Sequence, residues 1–150
     1  MKYSLLSVAI ALLMSCASSK TAKTSAPKSS TTRATLLNNQ TFLLTEISDD
    51  PTYGLTPNNP IQVGGAANSE GPLNERRFLN ALAGPNKEPI SYFRAGSCCP
   101  VKSDNGFMGM AMLDNYRVTW EGSKDTVSIF INMYDFGELK APKGFTIKDK

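Results

Sequence analysis

The sequence contains no histidine, and this absence excludes several common kinds of active site. Ser-His-Asp and Cys-His catalysis use an imidazole as the general base, and many metal sites use imidazole ligands. Catalysis by carboxylates or lysines stays open, but Asp114, Asp135 and Glu138 are predicted to be turn residues. The composition therefore favours a non-enzymatic protein, and it indicates no metal and no cofactor.

The sequence also lacks a basic surface of the kind that binds nucleic acid. Its formal net charge is +3, from 16 Lys and Arg residues against 13 Asp and Glu residues. Five of the cations precede residue 36, which leaves 11 against 13 in the rest of the chain. These five are Lys2, Lys20, Lys23, Lys28 and Arg33. The expected domain is therefore slightly acidic, and we expect no nucleic-acid partner.

The one long apolar run of the sequence is too short to cross a membrane. Residues 4–14 (SLLSVAIALLM) follow a basic start at Lys2, whereas a membrane-spanning helix needs roughly 20 apolar residues. A basic start, a short apolar run and a final small residue are typical of a secretory signal peptide. We therefore assign residues 1–15 to a signal peptide.

The end of this run resembles the lipobox of bacterial lipoproteins. Leu13 occupies the apolar position, Ser15 is the small residue, and Cys16 is the lipid acceptor. The resemblance implies a diacylglyceryl thioether and a further acyl chain such as palmitate on Cys16, and several acyl chains hold a protein firmly at a bilayer. Ala17 follows the cysteine, which in enterobacterial sorting favours the outer membrane. The alternative is ordinary secretion, with Cys16 incidental.

Composition divides the rest of the chain into a tether and one domain. Residues 16–35 contain the lipidated cysteine and a Ser/Thr/Lys-rich stretch without aromatic or large aliphatic side chains. Such a stretch buries too little apolar surface to offset the entropy of ordering, so we expect a flexible tether. Residues 36–150 are long enough for a single globular domain with a modest core.

Hydrophobic patterns predict several strands around one helix. The predicted strands are residues 41–47, 61–63, 90–94, 116–120 and 127–133, with a short one around 145–147. Pro72 is expected to open the helix, and Leu82 is expected to be its last apolar residue, with Glu75 and Arg76 away from the apolar face. This order predicts an α+β domain with a small antiparallel sheet of about five strands and one helix packed on a face. The helix and the hairpin of Trp120 are the expected centre of the core.

The most unusual local sequence is Cys98-Cys99, in a predicted irregular loop over residues 95–105. Export would place the pair in an oxidising compartment. Adjacent cysteines close on each other only in a strained eight-membered ring, because their Cα atoms lie closer than a relaxed disulfide prefers. Such a bond would suit a redox role. The alternatives are a purely structural tight loop, a soft-metal site or intermolecular pairing.

Three arginines and three methionines form further candidate sites. Arg76, Arg77 and Arg94 could converge as an anion-binding pocket, because arginine forks suit carboxylate and phosphate groups. The alternative is ion pairing with Glu75, Asp104 or Asp114. Met108, Met110 and Met112 would share one face of a strand. Thioethers bind Cu(I), but methionine is more common as a filler of cores.

Short sequence pieces spread over most of the domain carry a resemblance to a known family. They are Tyr53-Gly54, Asn59-Pro60-Ile61, Val63-Gly64-Gly65, Gly71-Pro72, residues 75–82, Gly84-Pro85-Asn86, residues 96–100, Leu113-Asp114, Tyr116-Arg117-Val118, residues 131–135, Glu138-Leu139 and Gly144-Phe145. From Tyr53 to Phe145 the chain resembles small exported domains of Bacteroidetes-type lipoproteins with a GSCCP motif. The resemblance implies no activity, because the family has no established one.

Some members of that family carry the label 2-dehydro-3-deoxyphosphooctonate aldolase. That enzyme is a cytoplasmic TIM barrel, and such barrels need roughly 250 residues with alternating strands and helices. The present sequence has 150 residues and no such alternation, so we do not transfer the activity.

Three functions follow as hypotheses. The first is an envelope lipoprotein, held to the bilayer by acyl chains on Cys16, whose domain binds an unknown envelope protein or small ligand. The second is a redox or ligand-binding protein that acts through Cys98 and Cys99. The third is an enzyme of unknown type, which would need a deep pocket that gathers Arg76, Arg77 and Arg94 around a carboxylate.

Overall fold

The computed structural model describes residues 33–149. The predicted signal peptide, Cys16 and residues 17–32 of the predicted tether lie outside the described residues. The chain contacts the domain from its first described residues onward. Ala34 packs against the hydrophobic core, and the Thr35 carbonyl accepts a hydrogen bond of 2.8 Å from the amide of Leu43.

The described residues form a mixed α+β fold with mostly strands and one α-helix. The strands are β1 (Leu36–Asn38), β2 (Thr41–Phe42), β3 (Ile61–Gln62), β4 (Leu82–Ala83), β5 (Ile90–Phe107), β6 (Met110–Trp120), β7 (Val127–Asn132) and β8 (Thr146–Ile147). The α-helix α1 spans Gly71–Leu79, and a short 3-10 turn at Ala66–Asn68 precedes it. Within residues 33–149, no helix is long and apolar enough to cross a membrane.

The main sheet has four strands in the order β3-β7-β6-β5. The prediction of about five antiparallel strands is therefore wrong in number, and it is wrong at one pairing, because β3 runs parallel to β7. The segment between these two strands includes α1, β5 and β6, so it is long enough for the crossover that a parallel pair needs. Two short antiparallel ladders, β1-β2 and β4-β8, lie outside this sheet. Of the predicted first strand, residues 41–47, only the two residues of β2 form a strand.

Helix α1 begins as predicted and ends earlier than predicted. Pro72 occupies its first turn, where a missing amide donor costs nothing. The helix ends at Leu79, whereas Leu82 and Ala83 pair with β8. Both side chains are buried there, so pairing with a distant strand outweighs one more helical turn.

The predicted irregular loop over residues 95–105 is instead the middle of β5, the longest strand of the described chain. Register shifts in its pairing with β6 fall between Arg94 and Gly96, between Cys98 and Pro100, and between Lys102 and Phe107. These irregularities accommodate glycine, adjacent cysteines and proline without ending the strand. The predicted turn at Asp114 is likewise part of a strand, because Asp114 pairs with both β5 and β7.

The core lies between α1 and the main sheet. Its fully buried side chains include Phe78 and Leu79 from the helix and Ile129 and Ile131 from β7. Trp120 is only half-buried and contacts Phe145 edge to face, with ring centroids 5.5 Å apart. The prediction that the helix and the Trp120 hairpin form the centre of the core is confirmed, because Val118, Ile129 and Ile131 of the hairpin are fully buried there, although Trp120 itself packs at the margin.

Strands β5 and β6 continue past the end of β7 as a two-stranded arm, residues 98–113. The pairing of β6 with β7 ends at Asp114 opposite Ile131, whereas its pairing with β5 continues to Met110. The arm is fixed to the body by Asp135. Its Oδ1 atom accepts hydrogen bonds of 2.8 Å from Ser103 Oγ and from Asn105 Nδ2.

The three methionines of the arm are exposed, and this argues against the interpretation as core filler. Met110 and Met112 are 38% and 44% exposed on β6, and Met108 is 85% exposed in the turn. The residues between them, Ala111 and Leu113, are the buried ones. The shared strand face predicted for the three methionines is therefore formed only by Met110 and Met112, because Met108 lies in the turn, and this face points to solvent.

Candidate functional site

A cleft of about 490 Å³ lies beside helix α1 and the middle of strands β5 and β6. We call it the cleft. Its lining residues are Pro72 and Arg76 of α1, Tyr92, Phe93 and Arg94 of β5, Asp114 and Tyr116 of β6, and Met133 after β7. The antiparallel register places Arg94 opposite Tyr116 and Ser97 opposite Asp114, which brings the polar groups together at one end.

An arginine and a buried aspartate form the polar end of the cleft. The Arg94 Nε atom donates to Asp114 Oδ2 at 2.5 Å, and Nη2 donates to Asp114 Oδ1 at 2.8 Å. Ser97 Oγ donates to the same Oδ1 atom at 2.9 Å and accepts from Arg94 Nη2 at 2.6 Å. This bidentate pair raises the pKa of Arg94. Ion pairing of Arg94 with Asp114 was the predicted alternative to an anion-binding pocket, and this ion pair is formed.

A second buried carboxyl group, Glu75, lies directly behind this pair. The Glu75 side chain is fully buried, and its Oε2 atom accepts a hydrogen bond of 2.9 Å from the Tyr116 hydroxyl. Its Oε1 atom has no donor among the described residues. Burial, and then the charge of Asp114, raise the pKa of Glu75 to about 8. Glu75 is therefore protonated at neutral pH.

A protonated Glu75 can donate a hydrogen bond to Asp114, and this hydrogen bond is itself one of the causes of the raised pKa of Glu75. Burial also raises the pKa of the Tyr116 phenol, so this hydroxyl stays a donor. The cluster therefore combines a carboxyl group of raised pKa, a phenol donor, and Asp114 with its arginine.

The burial of Glu75 was not predicted, although the spacing of apolar residues in the sequence indicates it. We expected Glu75 away from the apolar face of the helix, whereas it is buried. Residues three and four positions apart share a helical face, and Phe78 and Leu79 stand at these positions after Glu75. Both are fully buried. An acidic residue on this face should therefore have been predicted to be buried.

The three arginines that were predicted to form an anion pocket do not all lie together. Arg76 and Arg94 line the cleft, but Arg77 points elsewhere. The Arg77 Nε atom donates to the Asn39 carbonyl at 3.0 Å, and Nη1 donates to Asn74 Oδ1 at 2.9 Å. Neighbouring residues of a helix point about 100° apart, so Arg76 and Arg77 cannot serve the same side.

Arg76 is the less compensated of the two arginines in the cleft. Among the described residues its guanidinium makes no ion pair and no hydrogen bond, whereas Arg94 is held by Asp114. The charge of Arg76 acts on the Tyr92 phenol. Burial raises the pKa of Tyr92, and the Arg76 charge opposes this rise. The Tyr92 hydroxyl donates to Asn80 Oδ1 at 2.8 Å.

The adjacent cysteines are joined to each other by a disulfide, with Cα atoms 3.7 Å apart. Both are half-buried at the base of the arm, and Cys98 lies opposite Leu113 of β6. Cys99 has a φ of 54°, a left-handed conformation that residues other than glycine adopt at some cost. Soft-metal binding and intermolecular pairing would both require that this bond first be reduced.

The described part of the chain contains no cluster of three or more cysteine or acidic side chains that could hold a metal ion.

Comparison with known proteins found no match: no protein-family model, no curated protein and no solved structure matches the chain. The resemblance to exported lipoprotein domains therefore stays a prediction.

Proposed function

We propose that the protein is a membrane-anchored lipoprotein of the cell envelope whose domain binds an anionic group of a small ligand or partner in the cleft. The single observation that supports the binding site is the uncompensated charge of Arg76 beside the pair of Arg94 and Asp114. Among its lining residues the cleft contains two cations, Arg76 and Arg94, and one anion, Asp114. An anionic group would neutralise the remaining charge.

The walls of the cleft indicate what the rest of such a ligand is like. The Phe93 ring is 61% exposed, and Tyr92, Pro72 and Met133 add further apolar surface. Ligand sites combine mostly apolar walls with a few polar groups that fix orientation. We therefore propose a ligand with a carboxylate, or a similar planar anion, attached to a ring or other apolar body.

Benzoate and benzamide are suitable probes, because they have the same shape and differ in charge. We expect millimolar benzoate to shift the backbone NMR signals of residues around the cleft, and benzamide to bind about tenfold more weakly. Arg76→Met should weaken benzoate binding by a similar factor. Arg77→Met is the matched control, because this neighbouring arginine points away from the cleft. Equal binding of both probes, or equal loss in both variants, would contradict the proposed site.

The anchor rests on the sequence from Leu13 to Cys16 and is tested separately. We expect the mature protein to begin at Cys16 with a mass that includes three acyl chains, and to fractionate with membranes, in particular with the outer membrane. Cys16→Ser should remove the acyl mass and release the chain. A mature protein without acyl groups, or one cut elsewhere, would overturn the proposed anchor.

A second candidate function is reversible reduction of the Cys98–Cys99 bond. It is favoured by the position of the bond, next to Ser97, which hydrogen-bonds both Arg94 and Asp114. A dithiol reductant would supply two electrons and two protons, breaking the S–S bond to give two thiols while the reductant becomes a disulfide. Reduction would remove a constraint from the end of the cleft.

Alkylation followed by intact-mass measurement tests this second candidate. We expect no alkylation at these cysteines without reductant, and two added groups after mild treatment with dithiothreitol. Benzoate binding should then change in the reduced protein, but not when a Cys98→Ser/Cys99→Ser variant receives the same treatment. If the variant and both redox states bind benzoate equally, the cysteines play no part in the cleft.

A further inference from the structure

The end of the arm carries an exposed apolar surface that the cleft does not explain. Phe107 and Met108 are 83% and 85% exposed, and Met110 beside them is 38% exposed. We call these three residues the tip. No charged residue occurs between residues 106 and 113. Exposed apolar clusters of this kind commonly mark contact surfaces.

The tip is fixed in place by the arm. Backbone pairing runs from Cys98 opposite Leu113 to Lys102 opposite Met110, and after an irregularity at residues 103–106 Phe107 again lies opposite Met110. Ser103 and Asn105 are hydrogen-bonded to Asp135 of the body, and Ser103 is buried. The apolar side chains therefore cannot easily fold back onto the domain.

The tip lies at the same end of the domain as Arg33, the first residue that the structure describes. The guanidinium of Arg33, the first described residue, lies 5.8 Å from the centre of the Phe136 ring. Phe136 directly follows Asp135, which holds the arm. Sixteen residues separate Arg33 from Cys16, and a tether of that length, predicted to be flexible from its composition, would have a reach of roughly 23 Å. An anchor on Cys16 would therefore keep a bilayer near the tip.

The shape of the tip favours lipid over a protein partner. A stable protein interface buries roughly 800 Å² on each side, which usually requires a broad surface. The tip is a narrow protrusion of three side chains, whereas a bilayer can close around a convex apolar group of any outline. Of the arm's two charged residues, Lys102 lies opposite Met110 and Asp104 precedes Phe107 in the chain, and the long Lys102 side chain could keep its ammonium group at the level of the lipid head groups.

We propose that Phe107, Met108 and Met110 insert into the surface of the bilayer to which Cys16 is anchored. This inference rests on the proposed lipid anchor, and it adds a second contact that fixes the orientation of the domain. Two membrane contacts hold a protein far more firmly than one, because the second contact forms at a high local concentration.

Quenching by brominated lipids tests where the protein touches the bilayer. The acylated mature chain is placed in vesicles of phosphatidylethanolamine and phosphatidylglycerol that contain brominated acyl chains. We expect the fluorescence of a Phe107→Trp variant to be quenched at least twofold more than that of the parent, whose only tryptophan is Trp120. Phe93→Trp is the matched control, because it replaces an exposed phenylalanine on the same strand outside the arm.

The outcomes separate the tip from the anchor. If the acylated chain binds vesicles but Phe107→Trp is quenched no more than Phe93→Trp, the tip proposal fails and the anchor stands. If mass measurement finds no acyl groups, the anchor fails, and the unacylated Cys16→Ser chain decides the question of the tip.

For that unacylated chain we expect Phe107→Ser/Met108→Ser to weaken partition into the same vesicles by about tenfold. Ile47→Ser is the control, because Ile47 is an exposed apolar residue outside the arm. Equal partition of parent and double variant would overturn the proposal. A blue shift of Phe107→Trp that depends on protein concentration and needs no lipid would overturn it in favour of self-association.

Discussion

Two buried acidic clusters in this small domain are built in different ways. Around Asp135, every donor is a neutral hydroxyl or amide: Ser103 and Asn105 bind Oδ1, and Asn132 Nδ2 donates to Oδ2 at 2.7 Å. Around Glu75, Oε2 accepts from the Tyr116 hydroxyl, Oε1 has no donor among the described residues, and burial and the charge of Asp114 raise the pKa. The first cluster joins two parts of the fold, and the second contains a carboxyl group with a raised pKa.

This difference indicates which of the two clusters can take part in binding or chemistry. A carboxylate surrounded by fixed donors is satisfied, and it gains nothing from a ligand. A buried carboxyl group with a raised pKa responds to pH and to any charge that approaches it. Of the two clusters, only that of Glu75 and Asp114 borders the cleft with its arginines.

The largest expected effect is a pH-dependent loss of stability caused by Glu75. Its pKa rises from 4.5 to about 8 on folding, so the folded state binds an extra proton between these values. This contribution to stability is complete below pH 4.5 and is lost as the pH rises to 8. We expect Glu75→Gln to match the parent near pH 4.5 and to exceed it by about 4 kcal/mol at pH 8.

Urea unfolding at several pH values measures this difference. Glutamine can keep both contacts, since its oxygen can accept from Tyr116 and its amide can donate to Asp114. The control is Glu121→Gln, which changes an exposed acid in a turn. Parallel pH curves for the parent and Glu75→Gln would show that Glu75 is ionised throughout, and the contrast between the two clusters would disappear.

The next effect should come from breaking the satisfied cluster. Asp135→Ala leaves donors of Ser103, Asn105 and Asn132 without their acceptor in buried or partly buried surroundings. We expect a loss of about 3 kcal/mol in the free energy of unfolding, because unpaired buried donors are costly. Asp104→Ala is the control in the same arm, and it removes an exposed carboxylate. Similar losses in both variants would mean that Asp135 does not hold the arm.

Removing the arginine of the second cluster should have a smaller effect. Arg94→Met leaves Asp114 with the Ser97 hydroxyl as its remaining donor outside Glu75. We expect a loss of about 2 kcal/mol at pH 7, less than for a fully buried pair because Arg94 is 46% exposed. Arg76→Met removes an unpaired charge from the same cleft and should cost nothing. Thermal unfolding compares the two, and equal effects would contradict the assigned pairing.

The smallest expected effect is that of removing the Tyr116 hydroxyl. Tyr116→Phe removes the donor to Glu75 Oε2 and should lower the free energy of unfolding by about 1 kcal/mol. Tyr134→Phe is the control, because its hydroxyl makes no hydrogen bond among the described residues. A double variant with Glu75→Gln measures the coupling between the two side chains, and additive losses would mean that they do not interact.

Sequence patterns predicted parts of the fold well where local and tertiary preferences agreed. Strand β7 shows strict alternation, and Pro72 marks the start of the helix, so both were located correctly. Strand β5 was missed beyond residue 94, because glycine, adjacent cysteines and proline are typical of loops. Its partner β6 supplies hydrogen bonds that carry the strand through three irregularities. A local pattern contains no information about such a partner.

The sequence indicated the arginines of the cleft better than its acidic residues. Arg76, Arg77 and Arg94 were considered as a converging anion pocket, with ion pairing as the alternative, and only Arg76 and Arg94 line the cleft. Asp114 was expected in a turn and Glu75 away from the buried face. Both predictions were wrong, because burial of a carboxyl group depends on which elements pack over it. Only the folded arrangement supplies the second carboxyl and the phenol that make this burial tolerable.

By itself, the sequence determined the mixed α+β composition, the start of the helix and several of the strands. These features follow from local rules of periodicity and backbone geometry. The tertiary structure decided the parallel pairing of β3 with β7, the separation of Arg76 from Arg77, the raised pKa of Glu75 beside Asp114, and the exposure of the tip. Each of these depends on residues far apart in the chain, and the energies of burial and charge arise only when folding brings them together.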